Sequence, residues 1–415
     1  MNKKDIIQAE IKTKWIKEGK FGTVLLSTGG GKSKLGTDII KEVLSEIESH
    51  DIPILIGVDK TSNRDITWKN ELEKWGVDLS LVRIECYQTI YRWKAKDIGL
   101  FIADEIDVAL TEKYSKSFLN NTIKCFLGLT ATITTEKEQL LNKFAPIFYR
   151  FTTEDAQVAG LINSTVIIEH YVPLSKVRDI KTKFGHWSEE AKYVWFEDKL
   201  MKNNKLIKDN TIEASRITDT FARQAVLAKN NKIYAGNKSM TNRRAKFLKE
   251  LISLDSYAVA LKNAIAKEGN KVLLFAKYTK TVDKFGDSYH YNNKNDNVEK
   301  FNADEIKYLG VCKTVSRGVS FTKLNHIIGH SYDGTETYYT QALQGRATRL
   351  DVSELAFIHI LIPIITEGTR IKHTRAIDWY NNMTEKVNTK NKYRYDGKTT
   401  VLGYCKDIEA TRKEV

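Results

Sequence analysis

A glycine-rich segment near the start of the chain has the composition of a phosphate-binding turn. It reads Ser27-Thr28-Gly29-Gly30-Gly31-Lys32-Ser33. An apolar run precedes it and a helical pattern follows, so backbone N–H groups and the helix N-terminus can surround a phosphate, which the glycines allow to approach closely. In that arrangement Lys32 would reach the β and γ phosphates of a nucleotide, and the Ser33 hydroxyl would bind Mg2+.

This segment departs in one position from the common pattern GxxxxGK[ST]. Leu26 stands where that pattern has its first glycine. A flexible glycine turn before a helix is therefore the alternative interpretation. The order of strand, glycine turn and helix favours the nucleotide-binding interpretation.

Two adjacent carboxylates, Asp104 and Glu105, follow the apolar run 100–103. A strand there would place them at the carboxyl edge of a sheet, where α/β folds bind their ligands. Asp104 can hold Mg2+ through water, and Glu105 can orient and deprotonate a water molecule that attacks the γ phosphate. An acidic loop alone would be unremarkable, but together with Lys32 upstream the pair predicts nucleotide hydrolysis.

The elements that would position these residues alternate along the chain. Short apolar runs at 24–26, 54–58, 81–87, 100–103 and 125–129 are separated by helical patterns. Such alternation is typical of a parallel sheet covered by helices. A second set of apolar runs follows at 272–275, 308–311, 326–328 and 357–362. The sequence therefore predicts an α/β fold with two parallel-sheet domains.

The stretch between the two sets is polar, rich in lysine and mostly helical in pattern. We expect a first domain over 1–155, a second over 156–385 with a helical insertion at about 186–266, and a basic tail over 386–415. The insertion carries basic residues that could contact a nucleic-acid duplex: Lys238, Arg243, Arg244 and Lys246. A solvated helical face is the alternative there.

The charge balance of the chain is basic. Its 66 lysines and arginines exceed its 52 aspartates and glutamates by 14. A polyanion such as nucleic acid is then a natural partner, although lysine-rich composition alone could produce the excess. With 415 residues, 41% hydrophobic and 28% charged, the composition excludes a disordered tail, a collagen-like fibre and a polytopic membrane protein.

The cysteines point to a reducing compartment. The four of them, Cys86, Cys125, Cys312 and Cys405, are scattered, with no CxxC pair. Neither a zinc site nor a disulfide framework is indicated by that spacing. No export signal or membrane-spanning run is evident, so we expect no membrane partner and a cytoplasmic location, associated with the nucleoid or in the host cytosol if the protein is viral.

The sequence Asp104-Glu105-Ile106-Asp107, placed after a strand and downstream of Lys32, resembles the DExD/H box of superfamily 2 helicases and translocases. Further segments resemble motifs of that family in the same order. Tyr87-Gln88-Thr89 is similar to motif Ib, and the segment from Gly128 to Thr132 is similar to motif III, in which Thr130 and Thr132 would couple hydrolysis to the nucleic-acid path. Gln8 stands where family members carry an adenine-recognising glutamine.

The second half of the chain continues the resemblance. Three further segments are similar to family motifs: 273–278 to motif IV, 316–321 to motif V and 341–349 to motif VI. Arg346 and Arg349 would be the arginine fingers, three residues apart and hence on one helical face. The usual QxxGRxxR spacing is altered, because the glutamines stand at 341 and 344.

The resemblance implies two RecA-like domains that close on ATP and Mg2+ at their interface and step along a nucleic acid. The implied catalytic residues are Lys32, Asp104, Glu105, Arg346 and Arg349, with Mg2+ held at Ser33 and Asp104. The implied nucleotide contacts are Gln8, Thr28, Gly29, Gly30, Gly31, Lys32, Ser33 and Gly318. The implied nucleic-acid contacts are Thr61, Arg64, Gln88, Thr89, Lys277, Thr314 and Ser316.

Among the members of the superfamily, the chain is most similar to the compact phage helicases that remodel branched DNA and to related repair and restriction translocases. DNA is therefore favoured over RNA as the partner. Two alternatives stay open at this point. One is an RNA helicase, and the other is a nucleic-acid-binding scaffold that binds ATP without hydrolysing it.

Overall fold

The computed structural model describes most of the chain. The described residues are 3–27, 29–46, 53–61, 63–183, 185–290, 295–312, 323–330, 355–366, 373–386 and 391–413, with Phe321, Tyr339, Leu343 and Ile371. They form two structural units, 3–164 and 165–413. Each unit contains one parallel sheet, and this confirms the predicted α/β class with two parallel-sheet domains.

The first unit contains a six-stranded sheet. Its strands are β1 (Phe21–Leu26), β2 (Ile54–Val58), β3 (Val82–Cys86), β4 (Asp97–Asp104), β5 (Thr122–Thr130) and β6 (Ile147–Phe151). They lie in the order β3-β2-β4-β5-β1-β6, and every pair is parallel. Strands β1 and β4 are thus separated by one strand, and their carboxyl ends meet at the same edge.

Helices of the first unit connect these strands. They are α1 (Lys3–Lys17), α2 (Lys32–Ser45), α3 (Trp68–Lys74), α4 (Tyr87–Ile90), α5 (Ile106–Ala109), α6 (Lys116–Leu119), α7 (Thr135–Leu141) and α8 (Thr153–Val158). Short helical turns also form at Asn63–Thr67 and Leu79–Leu81.

Both faces of the first sheet are buried, which explains its unbroken apolar strands. On β4, Leu100 and Ile102 contribute to the core beneath α2 and α3. Phe101 and Ala103 contribute to the opposite core. Alternate residues of one apolar run therefore stabilise two separate cores.

The second unit contains a seven-stranded sheet and a small two-stranded sheet. Its strands are β7 (Thr165–Pro173), β8 (Ile180–Thr182), β9 (Gly185–Trp187), β10 (Val272–Ala276), β11 (Ser288–Tyr289), β12 (Tyr308–Cys312), β13 (His326–Gly329), β14 (Ala356–Ile364) and β15 (Lys392–Arg394). The large sheet has the order β11-β12-β10-β13-β14-β7-β15 with parallel pairs throughout, and β8 pairs with β9.

The helices of the second unit include two long ones. In chain order they are α9 (Glu189–Arg216), α10 (Thr220–Leu248), α11 (Ile252–Lys267), α12 (Thr279–Lys284), α13 (Asn297–Asn302), α14 (Arg375–Lys386) and α15 (Val401–Lys413). None of the helices among the described residues combines the length and the apolar character needed to cross a lipid bilayer.

Helices α9 and α10 pack against each other as a hairpin. A buried hydrogen bond of 2.8 Å joins Asn210 and Asn230 across it. Arg244, which the sequence analysis placed among the possible duplex contacts, is buried and forms an ion pair with Glu197. The guanidinium of Arg244 therefore stabilises the hairpin.

The structure differs from the sequence analysis at the end of the expected insertion. Helix α11 lies within the predicted range 186–266, yet Leu254, Ala258, Leu261 and Ile265 are buried in the core of the second unit. Their spacing of three and four residues places them on one face of the helix. The helical insertion proper is therefore the α9–α10 hairpin.

The expected basic tail over 386–415 also differs from the structure. Strand β15 pairs with β7, and α15 packs against α11. Val401, Leu402, Cys405 and Ile408 of α15 are buried in the same core as α11. The last part of the second unit is thus a folded layer, because its apolar side chains recur at helical spacing.

The aromatic core of the first unit generates a stability prediction. Phe101 is completely buried, and its ring centroid lies 5.8 Å from those of Phe118 and Phe126. We expect Phe101→Ala to lower the free energy of unfolding by about 3–5 kcal/mol, because it leaves a cavity in a packed core.

Urea unfolding followed by circular dichroism would measure this loss. Phe221→Ala is the matched control, since Phe221 is 84% exposed on α10 and should change the free energy by about 0.5 kcal/mol or less. Equal effects of the two substitutions would contradict the packing described for Phe101.

Candidate functional site

The glycine turn lies between β1 and α2, as expected. Gly29 and Gly31 have φ values of 87° and 85°, a region that residues with a Cβ rarely adopt. A Cβ on Gly31 would lie 2.2 Å from Nε2 of Gln8, and one on Gly30 would lie 2.7 Å from Cγ of Leu26. The tight backbone of the turn therefore requires glycine at these positions.

Lys32 and Ser33 begin α2 directly after the turn. The first turn of a helix has backbone N–H groups without partners inside the helix, and its dipole favours an anion at that end. The partial positive charge at the N-terminus of α2 and the charge of Lys32 therefore both favour an anion at this place.

Lys32 faces the carboxylates at the end of β4. Its Nζ lies 3.6 Å from Oε1 of Glu105, and both side chains are largely buried. Glu105 has a φ of 49° at the start of α5, a left-handed conformation that costs a non-glycine residue about 1–2 kcal/mol. The structure therefore brings together Lys32 and Glu105, with Asp104 beside them.

Asp104 is held by an indole. Nε1–H of Trp68, a completely buried residue of α3, donates to Oδ2 of Asp104 at 2.9 Å. Burial of the carboxyl group and the adjacent charge of Glu105 raise the pKa of Asp104 to about 7, against the lowering influence of Lys32 and of the Trp68 hydrogen bond. A cation bound here would favour the carboxylate.

Three buried oxygen atoms in this region make no hydrogen bond within the described structure: Gln8 Oε1, Ser27 Oγ and Glu105 Oε2. Buried polar atoms normally have partners, so these are suited to a ligand or its water. Together with the glycine turn, they form a donor and acceptor set that fits a nucleotide phosphate with Mg2+. Ser33 and Asp104 offer the oxygen ligands that Mg2+ prefers.

Gln8 lies against the turn itself. Its Nε2 is 3.2 Å from the carbonyl oxygens of both Gly30 and Gly31, and the residue is 3% exposed. Gln8, which was expected to recognise adenine, therefore lies beneath the glycine turn, and its amide donates hydrogen bonds to the backbone of that turn.

Thr130, at the end of β5, contacts the acidic motif. Its hydroxyl lies 3.2 Å from Oδ1 of Asp107 and 2.7 Å from the carbonyl oxygen of Thr132. Nζ of Lys137 donates to the backbone carbonyl of Asp107 at 2.7 Å. The predicted coupling residues Thr130 and Thr132 are thus joined to the segment that carries Asp104 and Glu105.

The expected nucleic-acid contacts of the first unit follow β2 and β3 at the same sheet edge. Gln88 and Thr89 are exposed on α4, and Nε2 of Gln88 donates to the backbone carbonyl of Asp59 at 3.1 Å. Thr61 is exposed, and Arg64 forms an ion pair with Asp65. Among the described residues, none of these side chains forms a hydrogen bond or an ion pair with Lys32 or Glu105.

The remaining predicted site residues divide into two groups. Lys277 follows β10 of the second unit, where its carbonyl oxygen accepts a hydrogen bond from the thiol of Cys312. The others lie outside the described residues: Thr28, Thr314, Ser316, Gly318, Arg346 and Arg349.

Two residues of the site were not predicted from the sequence. Trp68 bonds the Asp104 carboxylate, and the hydroxyl of Tyr87 donates to the Asp104 carbonyl oxygen at 2.8 Å. Tyr87 stood inside a recognised motif, so its position at the end of β3 was a usable signal. Trp68 is 36 residues from Asp104 and carried no such signal.

Part of the second unit matches a known protein family. Residues 255–351 match the family model described as helicase conserved C-terminal domain. That range contains all three segments that resemble motifs IV, V and VI. No curated protein matches the chain.

Solved structures resemble the chain over nearly its whole length. The helicase domain of Hef from Pyrococcus furiosus is 13% identical, with a TM-score of 0.50, and the match covers 91% of this chain and 96% of that one. A Dbp5 variant from S. cerevisiae, bound to RNA and ADP BeF3, is 10% identical with a TM-score of 0.54, and the match covers 94% and 89%. The chain therefore has the fold of two RecA-like domains in tandem, and the second contains a match to the helicase conserved C-terminal domain.

Proposed function

We propose that this protein is an ATP-dependent helicase or translocase of superfamily 2 that acts on DNA. The convergence of Lys32, Asp104 and Glu105 behind the glycine turn is the observation that carries the proposal. The match of 255–351 to a helicase C-terminal domain supports it from the second unit. Within the superfamily, the sequence motifs most resemble compact phage-type enzymes that remodel branched DNA.

The chain's own groups divide the work of hydrolysis. The glycine turn, the first turn of α2 and Lys32 would hold the phosphates, while Ser33 and Asp104 would hold Mg2+. When bound, ATP and Mg2+ supply the phosphoryl group to be transferred and the positive charge that stabilises its departure. Oε2 of Glu105 is buried and forms no hydrogen bond with any described residue, which suits acceptance of a proton from a water molecule.

Lys32 would exchange partners during this cycle. Its ammonium lies 3.6 Å from Oε1 of Glu105 in the structure. Phosphate oxygens that attract Lys32 would draw its ammonium away from Glu105. Arg346 and Arg349 are the proposed arginine fingers, which would stabilise charge on the transferred phosphoryl group.

The proposed nucleic-acid contacts are phosphate contacts. Positive charge would come from Arg64 and Lys277. Hydrogen bonds would come from the polar side chains of Thr61, Gln88, Thr89, Thr314 and Ser316. Binding through phosphates is independent of sequence and weakens as salt displaces it. The net charge of +14 is consistent with such a partner.

Removal of the Lys32 ammonium should abolish turnover. We expect Lys32→Ala to lower kcat for ATP hydrolysis by about 10²-fold or more, the cost of losing one charged group aimed at the transferred phosphoryl. Lys41→Ala is the control, because Lys41 is exposed on the same helix and should leave kcat unchanged. A Lys32→Ala protein with wild-type turnover would refute the assignment of the site.

Polynucleotides should stimulate the wild-type ATPase, with forked or four-way DNA more effective than RNA. Turnover with single-stranded DNA, duplex, fork, junction and RNA at two salt concentrations measures this. Stimulation that falls as salt rises is expected for phosphate contacts. Stimulation by RNA alone would replace DNA by RNA as substrate, and nucleic-acid binding without any hydrolysis would replace the motor by a scaffold.

Loss of the indole N–H should shift the pH dependence of hydrolysis. The Trp68 hydrogen bond lowers the pKa of Asp104, so Trp68→Phe should raise it. Because Mg2+ needs the carboxylate, the acidic limb of kcat/KM should move to higher pH by about one unit, given about 1.5 kcal/mol for a hydrogen bond to a charged group.

A pH profile of kcat/KM, which reports groups of the free enzyme, measures the shift. Trp75→Phe is the matched control, since Nε1–H of Trp75 also donates to a carboxylate, that of Glu71, at 2.6 Å. An unchanged acidic limb in Trp68→Phe, or an equal shift in Trp75→Phe, would show that Trp68 does not set the ionisation of Asp104.

A further inference from the structure

Three of the eight histidines converge in the core of the second unit. His326 on β13, His359 on β14 and His170 on β7 are all buried, with exposed fractions of 2%, 0% and 1%. Cys405 on α15 is buried in the same region and is 3% exposed. Buried imidazoles are uncommon in an otherwise apolar core, so this cluster calls for a chemical explanation.

The register of the sheet produces the cluster. Strand β14 pairs His359 with Ile328 of β13, and it pairs Leu361 with His170 of β7. Since alternate residues of a strand share one face, His326, His359 and His170 lie on the same face in a diagonal. Helices α11 and α15 cover that face.

A chain of hydrogen bonds runs along the diagonal. Nδ1 of His326 lies 3.0 Å from Nε2 of His359, and Nδ1 of His359 lies 2.9 Å from Nε2 of His170. Nδ1 of His170 then lies 2.9 Å from the hydroxyl of Tyr257 on α11. Every imidazole nitrogen named here therefore faces a polar partner inside an apolar core.

The protonation states suit metal ligation. Burial lowers the pKa values of His170 and His326 to about 3 and that of His359 well below its usual value, so all three imidazoles are neutral at physiological pH. Neutral imidazole is the form that binds a metal ion. Cys405 contributes the thiol, whose thiolate form is the one that binds a metal ion.

We propose that His326, His359 and Cys405 form a binding site for a thiolate-binding transition-metal ion, Zn2+ or Cu+. One ligand atom from each residue lies within 4.8 Å of the others. Two imidazole nitrogens and one thiolate form a donor set that both ions accept. Binding forms a metal–sulfur bond and releases the Cys405 proton to solvent.

The outer residues of the chain would orient the ligands. With Nε2 of His359 on the ion, its Nδ1–H donates to Nε2 of His170, and Nδ1–H of His170 donates to the oxygen of Tyr257. Metal-binding histidines commonly donate their second N–H in this manner, which fixes the tautomer. His170 and Tyr257 are therefore positioning residues for the site.

The separation of the two imidazole nitrogens is close to the one that ligation requires. Zn–N bonds of about 2.0–2.1 Å at a tetrahedral angle place two nitrogens about 3.3 Å apart. The pair His326 Nδ1 and His359 Nε2 is 3.0 Å apart. With one thiolate, Cu+ gives a neutral site and Zn2+ a site of charge +1, and the apolar surroundings favour the neutral one.

The test uses the full-length, untagged protein loaded separately with Zn2+ and, under reducing conditions without oxygen, with Cu+. After dialysis, elemental analysis should find one equivalent of metal per chain in at least one arm, and calorimetry should show release of one proton. Co2+ offered in place of Zn2+ should give a thiolate-to-metal charge-transfer band. This readout needs only the wild-type chain.

Variants locate the ion. Cys405→Ala should remove the charge-transfer band and the bound metal, whereas Cys86→Ala, which deletes a buried thiol of the first unit, should retain both. Tyr257→Phe should weaken metal binding about 10-fold, as expected for loss of a positioning residue.

The opposite results identify a purely structural cluster. A wild-type protein that retains no metal in either arm and shows no Co2+ band would reduce the three histidines to a hydrogen-bonded core chain. Metal bound equally by Cys405→Ala would also overturn the site, because the thiolate would then contribute nothing.

Discussion

The parallel order of β1, β5 and β4 is the constraint on which the candidate site depends. Because these three strands run in the same direction, the turn after β1 and the acidic residues after β4 open at one edge of the sheet. The same order leaves Thr130, at the end of β5, between them. An antiparallel strand at any of these positions would send Lys32 and Glu105 to opposite edges.

The candidate site holds several charged groups in a buried position, which costs desolvation free energy. Lys32 and Trp68 offset part of that cost. One ammonium, that of Lys32, faces the carboxylates of Asp104 and Glu105, and an indole N–H supports Asp104. Burial of the carboxyl group, together with the adjacent charge of Glu105, raises the pKa of Asp104 to about 7. In the proposed function a divalent cation would restore the charge balance, so metal binding and charge neutralisation would be the same event at this position.

The two parallel sheets, and the placement of Lys32, Asp104 and Glu105 after strands at one sheet edge, could be predicted from the sequence. Fully apolar strands and the residues just after them are local signals. The folded end of the chain was missed and predicted to be a basic tail, although Val401, Leu402, Cys405 and Ile408 recur at helical spacing. Contacts set by strand register could not be predicted from the sequence. Trp68 reaches Asp104, and His326 reaches His359, only after distant segments pair and pack. No local pattern encodes such pairs.

The α9–α10 hairpin has a mechanical consequence. Its second helix has 29 residues, hence a length of about 43 Å. The buried asparagine pair and the Glu197–Arg244 pair hold the two helices together as one body. A tilt of about 5° at the base would displace the far end by about 4 Å over that length. Any rotation at the base of the hairpin would therefore produce a larger displacement at its far end.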